Sequence, residues 1–230
     1  MGKLYDRMKM DLELRGFSPK TPQNYLGNVR RFATHFERSP EQLGREEVRT
    51  YLHHLISERG LSKATLHTTY SALKFFYETT LGPCWEAFEL PRPKASRSLP
   101  VVLSPQEIQA LLEAPRNLKH RALLMLIYSG GLRLSEAMHL RVADIDSQRM
   151  LIRVRQGKGA KDRYTLLGQK PLTVLREYWR YYKPVGWLFP GQQEGQPLSE
   201  RSGQQILKRA LARAGISKAA TIHTLRHYAE

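Results

Sequence analysis

The sequence has 230 residues, of which 41% are hydrophobic and 25% are charged, a balance that is typical of globular proteins and excludes a disordered chain. Its 37 Lys and Arg outnumber its 21 Asp and Glu and give a net charge of +16, which favours a polyanion as partner. The single cysteine, Cys84, excludes an internal disulfide and fits a reducing cytoplasm, and we expect neither a membrane span nor a signal peptide, because no apolar run is long enough.

The positive charge is concentrated in the C-terminal part of the chain. Residues 1–90 contain 13 basic and 11 acidic side chains, whereas residues 91–230 contain 24 and 10. Charge by itself does not distinguish DNA, RNA and an anionic membrane as partner. The sequence has no CxxC, HExxH or GxxxxGK[ST] motif, so neither a metal nor another cofactor is predicted.

Residues 1–90 are predicted to form four helices that pack as a compact bundle. The first covers residues 3–15 and ends at Gly16. The second opens with Thr21 as N-cap and Pro22 in its first turn, and it continues to about Glu37.

The third helix is predicted over residues 45–59 and ends at Gly60. Ser62 caps the fourth helix. The helical spacing of the apolar residues assigns these inward positions in the two helices: Val48, Leu52, Leu55, Ile56, Leu66, Tyr70, Leu73 and Phe76.

Residues 91–104 contain three prolines and three basic residues and are predicted to be an interdomain linker. Beyond it, Ser104 and Glu107 form a capping box around Pro105, which starts a helix. Further helices are predicted at 117–129, 170–182 and 200–214 and from Ile222 onwards, and strands at 150–155 and 163–167. The predicted fold is therefore mainly α with a small β-hairpin or sheet.

Two glycines precede Arg133 in the segment 129–136. They let the backbone turn tightly while the guanidinium group of Arg133 projects from the start of a new helix, where its planar fork can bind two phosphate oxygens. Glu136 lies three residues further on the same helix face and can orient the arginine. The alternative is a surface salt bridge at a helix start.

Lys158 lies between Gly157 and Gly159 at the tip of the predicted hairpin. Such a loop can press against a nucleic acid and bring the ammonium group to a phosphate or to a leaving oxygen. An exposed basic turn is the alternative interpretation.

His223 and Arg226 are three residues apart, so both side chains leave the same side of one helical turn. A lone histidine is usually structural, and His227 beside it can equally be a packing residue. The functional interpretation depends on finding this pair together with Arg133 and Lys158 in one basic domain.

The segments GLRLSE, GKGAKDR and HTLRH, in this order and spacing, resemble the tyrosine recombinase (phage integrase) family, Xer-like branch. The resemblance covers nearly the whole chain, because GFSPKTPQNYLGNVRRFATHF is similar to the family's core-binding domain and LSPQEIQALL to the entry into its catalytic domain. It implies a four-helix, SAM-like DNA-binding domain at residues 1–90, a basic linker at 91–104 and a mixed α+β catalytic domain at 105–230.

The resemblance also implies roles for individual residues. Arg133 and Arg226 are similar to the two catalytic arginines that bind the scissile phosphate, Lys158 to the lysine that protonates the leaving 5′ oxygen, and His223 to the histidine that assists proton transfer. Glu136 matches the acidic residue that supports the first arginine. The implied reaction is a transesterification through a 3′-phosphotyrosine link, for which no metal and no ATP are needed.

The family pattern continues past HxxRH to a nucleophilic tyrosine, whereas this sequence ends at Glu230. Tyr228 is two residues from Arg226, a spacing that turns the two side chains apart on a helix. The other tyrosines considered belong to predicted scaffold: Tyr164, Tyr178, Tyr181 and Tyr182. We therefore expect a C-terminally truncated catalytic domain that binds DNA, has no nucleophilic tyrosine and is inactive in cleavage, and whose synaptic homotetramer is weakened.

The leading alternative is a non-catalytic DNA-binding decoy or accessory protein that occupies recombination sites. A helical transcription regulator would explain the charge but not the combination of arginines, lysine and histidine. An RNA-binding module is disfavoured because an RNP-like aromatic strand and a GXXG loop are both missing.

The expected partner is double-stranded DNA rather than a membrane, in the cytoplasm at the nucleoid of a bacterium or on a mobile element. Basic residues at helix starts, on polar helix faces, in the linker and beside the hairpin tip are expected to contact its backbone. These residues are Lys20, Arg30, Arg31, Lys63, Lys74, Arg92, Lys94, Arg97, Lys161 and Arg163.

Overall fold

The computed structural model describes residues 2–18, 20–82, 101–155 and 162–226. The chain divides into two compact units, Met1–Ser98 and Leu99–Glu230, and each unit has a hydrophobic core of its own. In the described part of the chain, every helix is too short, too polar or both to cross a lipid bilayer.

The first unit is a bundle of four helices. They are α1 (Gly2–Leu14), α2 (Lys20–Phe36), α3 (Arg45–Ser57) and α4 (Lys63–Phe75), and a π-helical turn, Phe76–Leu81, extends α4. Helix α2 packs against α1 and α4, and α3 packs against α4. The predicted four-helix arrangement is confirmed.

The core of the first unit is centred on buried aromatic residues. Phe32 and Tyr77 are fully buried, with their rings in an edge-to-face contact. The Tyr77 hydroxyl lies 2.9 Å from the carbonyl oxygen of Pro40 and 2.8 Å from that of Leu43. This hydroxyl therefore ties the end of the bundle to the connection between α2 and α3, and burial raises the pKa of Tyr77.

Two sequence-based details of this unit are wrong. Thr21 was predicted as the N-cap of α2, but the helix begins at Lys20. The Thr21 amide donates to the Ser18 carbonyl, so Thr21 lies within the first turn. Ile56 is 54% exposed and Tyr51 is buried in its place, since the inward face of α3 follows residues 48, 51, 52 and 55. The predicted cap of α4 is confirmed, because the Ser62 hydroxyl accepts from the Thr65 amide.

The second unit combines helices with a small antiparallel sheet in the order β1-β2-β3. Its elements are α5 (Pro105–Glu113), α6 (Leu118–Gly130), α7 (Leu134–Met138), a 3-10 turn (Val142–Asp144), β1 (Ile145–Asp146), β2 (Leu151–Val154), β3 (Arg163–Leu166), α8 (Gln169–Tyr182), α9 (Glu200–Arg213) and α10 (Ile222–Arg226). The predicted fold class, mainly α with a small sheet, is confirmed.

Helix α6 is the centre of the second unit. Residues 122–127 are all buried, so this helix is apolar on every side, as expected of a helix that other elements surround. It packs against α5, α7, α8, α10 and β3. The elements that hold Arg133, Arg163, His223 and Arg226 are therefore arranged around one helix.

The capping box at the start of α5 is confirmed, with the Ser104 hydroxyl 3.1 Å from the Glu107 amide and the Glu107 carboxylate 2.6 Å from the Ser104 amide. Strand β1 was not predicted, because two residues give no periodicity and its pairing with β2 alone defines it. The predicted linker up to residue 100 and the hairpin tip at 156–161 lie outside the described residues.

Candidate functional site

The turn between α6 and α7 places Arg133. Gly131 adopts the left-handed conformation, φ +55°, that ends α6, and Arg133 becomes the N-cap residue of α7. Gly130 lies close to the sheet, since a Cβ atom there would be 3.2 Å from Ile152 Cδ1, and the Thr165 hydroxyl donates to its carbonyl oxygen. The backbone that presents Arg133 is therefore fixed by both α6 and β3.

Glu136 connects two guanidinium groups. Its carboxylate accepts from the backbone amide of Arg133 at 2.8 Å and from Arg133 Nη1 at 2.6 Å, and it also accepts from Arg163 Nη2 at 2.7 Å. The Glu136 side chain is only 5% exposed, whereas those of Arg133 and Arg163 are 29% and 35% exposed. The buried carboxylate thus orients both arginines and leaves part of each arginine side chain exposed to solvent.

The electrostatics of this cluster keep Glu136 ionised. Burial by itself would raise the pKa of Glu136, but hydrogen bonds from the Arg133 backbone and guanidinium group, together with the charges of Arg163 and Arg133, lower it below its ordinary value. Two positive groups then surround one negative group. The excess positive charge on the exposed side suits an anion such as a phosphodiester.

Helix α10, which also packs against α6, carries the predicted His223–Arg226 pair. The hydroxyl of Thr221 accepts from the Thr224 amide at 3.4 Å at the start of this helix. Ile222 and Leu225 face the core, while His223 is exposed and Arg226 is half-buried. Among the described residues, no direct hydrogen bond links this pair to Arg133 or Glu136, so a shared phosphate site remains a prediction.

A depression of about 550 Å³ lies beside Glu136 and contains two arginines that the sequence analysis missed. Arg155 Nε is 2.7 Å from the carboxylate of Asp144, which is 2% exposed. Arg141 stacks on the indole ring of Trp187, with its guanidinium carbon 5.1 Å from the ring centroid. The alternation of buried residues at Ile152 and Val154 would have predicted that Arg155 points outward. Nothing in the sequence indicates that its partner is Asp144, eleven residues away.

A second basic depression, also about 550 Å³, lies in the first unit. Arg31 donates to Asn28 Oδ1 at 2.9 Å, and Asn28 is buried and also bonded by the Thr69 hydroxyl. Arg59 lines the same depression and was not predicted. Burial raises the pKa of Tyr51 at its base, against the opposing charges of Arg31 and Arg59, so the tyrosine stays neutral next to the two cations.

The other predicted DNA contacts have mixed surroundings. Lys20 and Lys63 are exposed first residues of α2 and α4, and Arg30 is exposed on α2. Lys74 is exposed but forms an ion pair with Glu78 at 3.4 Å. The remaining predicted site residues lie outside the described residues: Lys158, Lys161, Arg92, Lys94 and Arg97.

No group of three or more His, Cys, Asp or Glu side chains in the described ranges is placed to hold a metal ion. The donor groups of the site are instead guanidinium and imidazole groups. The chain thus combines a helical unit with a mixed unit whose carboxylate-oriented arginines are suited to binding an anion such as a phosphate.

Comparison with known families identifies the class of protein. Residues 101–230 match the phage integrase family, and residues 4–87 match the phage integrase N-terminal SAM-like domain. The chain belongs to the phage integrase family, the tyrosine recombinases.

Relatives from several bacteria are similar over nearly the whole chain. A Sinorhizobium fredii protein that bears the name integrase/recombinase y4qK is 45% identical over 99% of this chain and 74% of its own length. An integrase/recombinase from Escherichia coli is 34% identical over 98% of this chain and 79% of its own length. The tyrosine recombinase XerC of Syntrophus aciditrophicus is 32% identical over 98% of this chain and 81% of its own length.

Solved structures share the fold at low sequence identity. A lambda integrase (75-356) dimer bound to a COC′ core site matches with a TM-score of 0.79 and 18% identity, over 100% of this chain and 88% of that chain. The XerA recombinase matches with a TM-score of 0.52 and 24% identity, over 99% of this chain and 82% of that chain. Both matches extend across the two units of the chain.

Proposed function

We propose that this protein binds double-stranded DNA and acts in site-specific recombination by transesterification through a 3′-phosphotyrosine link. The observation that carries the proposal is the buried Glu136, which orients Arg133 in a chain of the phage integrase family. A guanidinium group oriented in advance stabilises charge on a phosphate without reorganising during the reaction.

In the proposed reaction, the guanidinium groups of Arg133 and Arg226 bind the non-bridging oxygens of the scissile phosphate. Lys158 gives a proton to the departing 5′ oxygen, and His223 hydrogen-bonds the phosphate and assists proton transfer. The oxygen of a tyrosine, which these 230 residues are not expected to supply, forms a bond to phosphorus as the bond to the 5′ oxygen breaks. One phosphodiester replaces another, so the reaction needs no external energy source.

The proposed division of labour follows the two compact units. Residues 1–90 act as the core-binding domain, residues 91–104 as a basic linker and residues 105–230 as the catalytic domain. The basic depression around Arg31 and Arg59 supports a phosphate contact from the first unit. Solved neighbours include a lambda integrase tetramer bound to a Holliday junction, which supports a synaptic homotetramer as the assembly of the family, weakened in these 230 residues. The proposed place of action is the nucleoid or a mobile element.

We further propose that these 230 residues bind DNA without cleaving it. In the described residues of the second unit, Tyr178 is buried and donates to the Leu188 carbonyl, whereas Tyr164 is exposed on β3, in register with Arg153. Tyr228 lies outside the described residues. The same observation favours the second candidate, a decoy or accessory protein that occupies recombination sites.

A selection from a random duplex library tests DNA binding first. The expected result is an enriched duplex whose affinity falls steeply as salt rises, because phosphate contacts release counterions. Arg133→Ala should weaken binding more than Arg201→Ala, an exposed arginine on α9. Absence of duplex binding at low salt would refute the proposal.

A nicked suicide version of the selected duplex tests cleavage. Because a covalent intermediate traps the protein on such a substrate, its absence on a denaturing gel is expected from these 230 residues. A covalent adduct would refute cleavage deficiency and, by mapping the modified peptide, would identify the nucleophile. The decoy candidate predicts that adding the same protein inhibits a cleavage-competent relative at that site.

A further inference from the structure

A groove of about 370 Å³ runs along one face of α8 in the second unit. It shares no lining residue with the depression at Glu136. Helix α8 contributes residues at positions i, i+3, i+4, i+7 and i+8, which form one face of a helix. They are Leu172, Leu175, Arg176, Trp179 and Arg180.

The base of the groove is aliphatic. Leu172, Leu175 and Leu188 are buried beneath it, and Val142 and Ile145 form part of the opposite wall. Large apolar side chains that a globular protein leaves exposed in one patch mark a surface for a partner.

Further apolar side chains are exposed near the C-terminal end of α8, and of these Trp179 lines the groove. Trp179 is 50% exposed, Tyr181 is 78% exposed and Val185 is 92% exposed. These side chains and Tyr182 lie within seven consecutive residues. An aromatic group with this exposure provides contact area at a low cost in conformational entropy.

The groove is also positively charged. Arg176 and Arg180 are one helical turn apart and exposed, and neither makes a hydrogen bond or an ion pair with any residue in the described ranges. Like charges at this spacing destabilise a helix slightly. Carboxylates from a partner would remove this repulsion and form charge-assisted hydrogen bonds.

The chemistry of the groove favours one kind of occupant. Duplex DNA would bring phosphates to an aliphatic floor, whereas interfaces with DNA are strongly polar. A second copy of the chain has a net charge of +16 and complements Arg176 and Arg180 less well than an acidic partner. An occupant that combines apolar side chains with carboxylates fits both the floor and the arginines.

We propose that the α8 groove binds an amphipathic, acidic helix of a different protein. Apolar residues of the partner at i, i+3 or i+4 and i+7 fill the floor beside Trp179, and its flanking carboxylates meet Arg176 and Arg180. The groove and the depression at Glu136 have different lining residues. The groove thus recruits an accessory or regulatory protein to the recombinase independently of DNA.

The test uses the full 230-residue chain and a fluorescein-labelled 16-residue helical peptide with leucines on one face and glutamates beside them. Fluorescence anisotropy should show saturable binding. Arg176→Glu combined with Arg180→Glu should weaken it by about tenfold or more, because two charge-assisted contacts become repulsive. Trp179→Ala should weaken it by about tenfold through loss of the apolar anchor.

The matched control combines Arg201→Glu with Lys208→Glu on α9, which changes the net charge equally at exposed positions. This variant should bind the peptide within about twofold of the unmodified chain, since long-range effects of exposed charges are screened. Circular dichroism melting curves verify that all variants fold. The groove variants should keep their affinity for the selected duplex, so a failure here differs from a failure of the proposed function.

Several outcomes would overturn the proposal. Equal binding of a peptide with lysines in place of the glutamates would remove the charge argument. Displacement of the peptide by duplex DNA would assign the groove to the DNA-binding surface. Groove-dependent binding to phosphatidylglycerol vesicles without binding to the peptide would assign it to a lipid surface instead.

Discussion

At the scale of single residues, buried carboxylates determine the direction of exposed guanidinium groups. Glu136 orients Arg133 and Arg163, and Asp144 orients Arg155. An exposed arginine held only by solvent would lose side-chain entropy on binding a phosphate. Arginines oriented in advance lose less, so we propose these carboxylates as positioning residues for a phosphate site.

Glu136→Gln should lower the free energy of unfolding by about 1–3 kcal/mol, since a buried charged acceptor for two guanidinium groups is lost. The pKa of Glu136 is lowered in the folded state, so its contribution is present above the unfolded pKa and is lost as the pH falls through the folded value. Urea titrations at a series of pH values should therefore show a smaller acid destabilisation in the variant.

The control for this measurement is Glu177→Gln, an exposed position on α8. Its curves should follow those of the unmodified chain at every pH. An identical pH dependence in the Glu136 variant would contradict the assigned ionisation.

Tyr77→Phe should destabilise the first unit by about 1–3 kcal/mol, because the buried Leu43 carbonyl loses the hydroxyl donor that it shares with the Pro40 carbonyl. The Pro40 carbonyl keeps the Leu43 amide as a donor. Tyr5→Phe, at a residue that is 43% exposed, should have almost no effect. Chemical denaturation of the two variants side by side measures the difference. Equal stability would mean that water replaces the hydroxyl.

At the scale of elements, one close contact between helices positions the arginine turn. A Cβ atom at Gly203 on α9 would lie 2.6 Å from Leu134 Cδ1 at the start of α7. The glycine therefore lets α9 approach the helix whose N-cap is Arg133. Packing between α7 and α9 and the position of the guanidinium group are thus linked.

Gly203→Val should lower the free energy of unfolding more than Gly203→Ala. In the alanine variant, the gain in helix propensity of about 1 kcal/mol is offset by a shift of the flexible Leu134 side chain. The valine variant should lose about 1–3 kcal/mol through overpacking. Gly27→Ala, in a helix where the nearest atom is 3.9 Å away, should be stabilising, and thermal unfolding checks all three.

Local chemistry explains which elements were predictable. Ser104 with Glu107, Ser62 and Gly131 each define a helix end through bonds or dihedral angles within four residues, so the sequence indicates them directly. Strand β1 depends on pairing with β2, and Arg163 finds Glu136 across 27 residues of sequence. Arg133 and Glu136 were predicted as a pair because they share a helical turn. Contacts between segments that are distant in sequence leave no periodic pattern and were not predicted.

At the scale of the whole molecule, the two units have separate hydrophobic cores with no shared residue. Phe32→Ala should destabilise the first unit by about 3–5 kcal/mol and leave amide protection in α6 unchanged. Leu123→Ala should do the reverse. Hydrogen exchange detected by mass spectrometry separates the two, and a parallel loss of protection in both units would show that they unfold together.

The charge asymmetry between the two parts of the chain, 13 basic and 11 acidic residues against 24 and 10, predicts where salt sensitivity arises. A fragment of residues 1–98 should show a shallower dependence of DNA affinity on salt than the whole chain, because fewer counterions are released. Filter binding over a range of potassium chloride concentrations measures both slopes. Equal slopes would contradict the phosphate contacts proposed for the second unit, such as those of Arg133, Lys161 and Arg226.

A buried carboxylate binds an arginine at the end of β2 and another at the start of β3. Asp144 accepts from Arg155, which follows β2, and Glu136 accepts from Arg163, the first residue of β3. The two ion pairs come from different segments, since Asp144 ends the 3-10 turn and Glu136 lies on α7. Neither ion pair includes a residue between 156 and 161. We therefore expect substitutions at those positions to change the proposed contribution of Lys158 while the contact between Glu136 and Arg133 is kept.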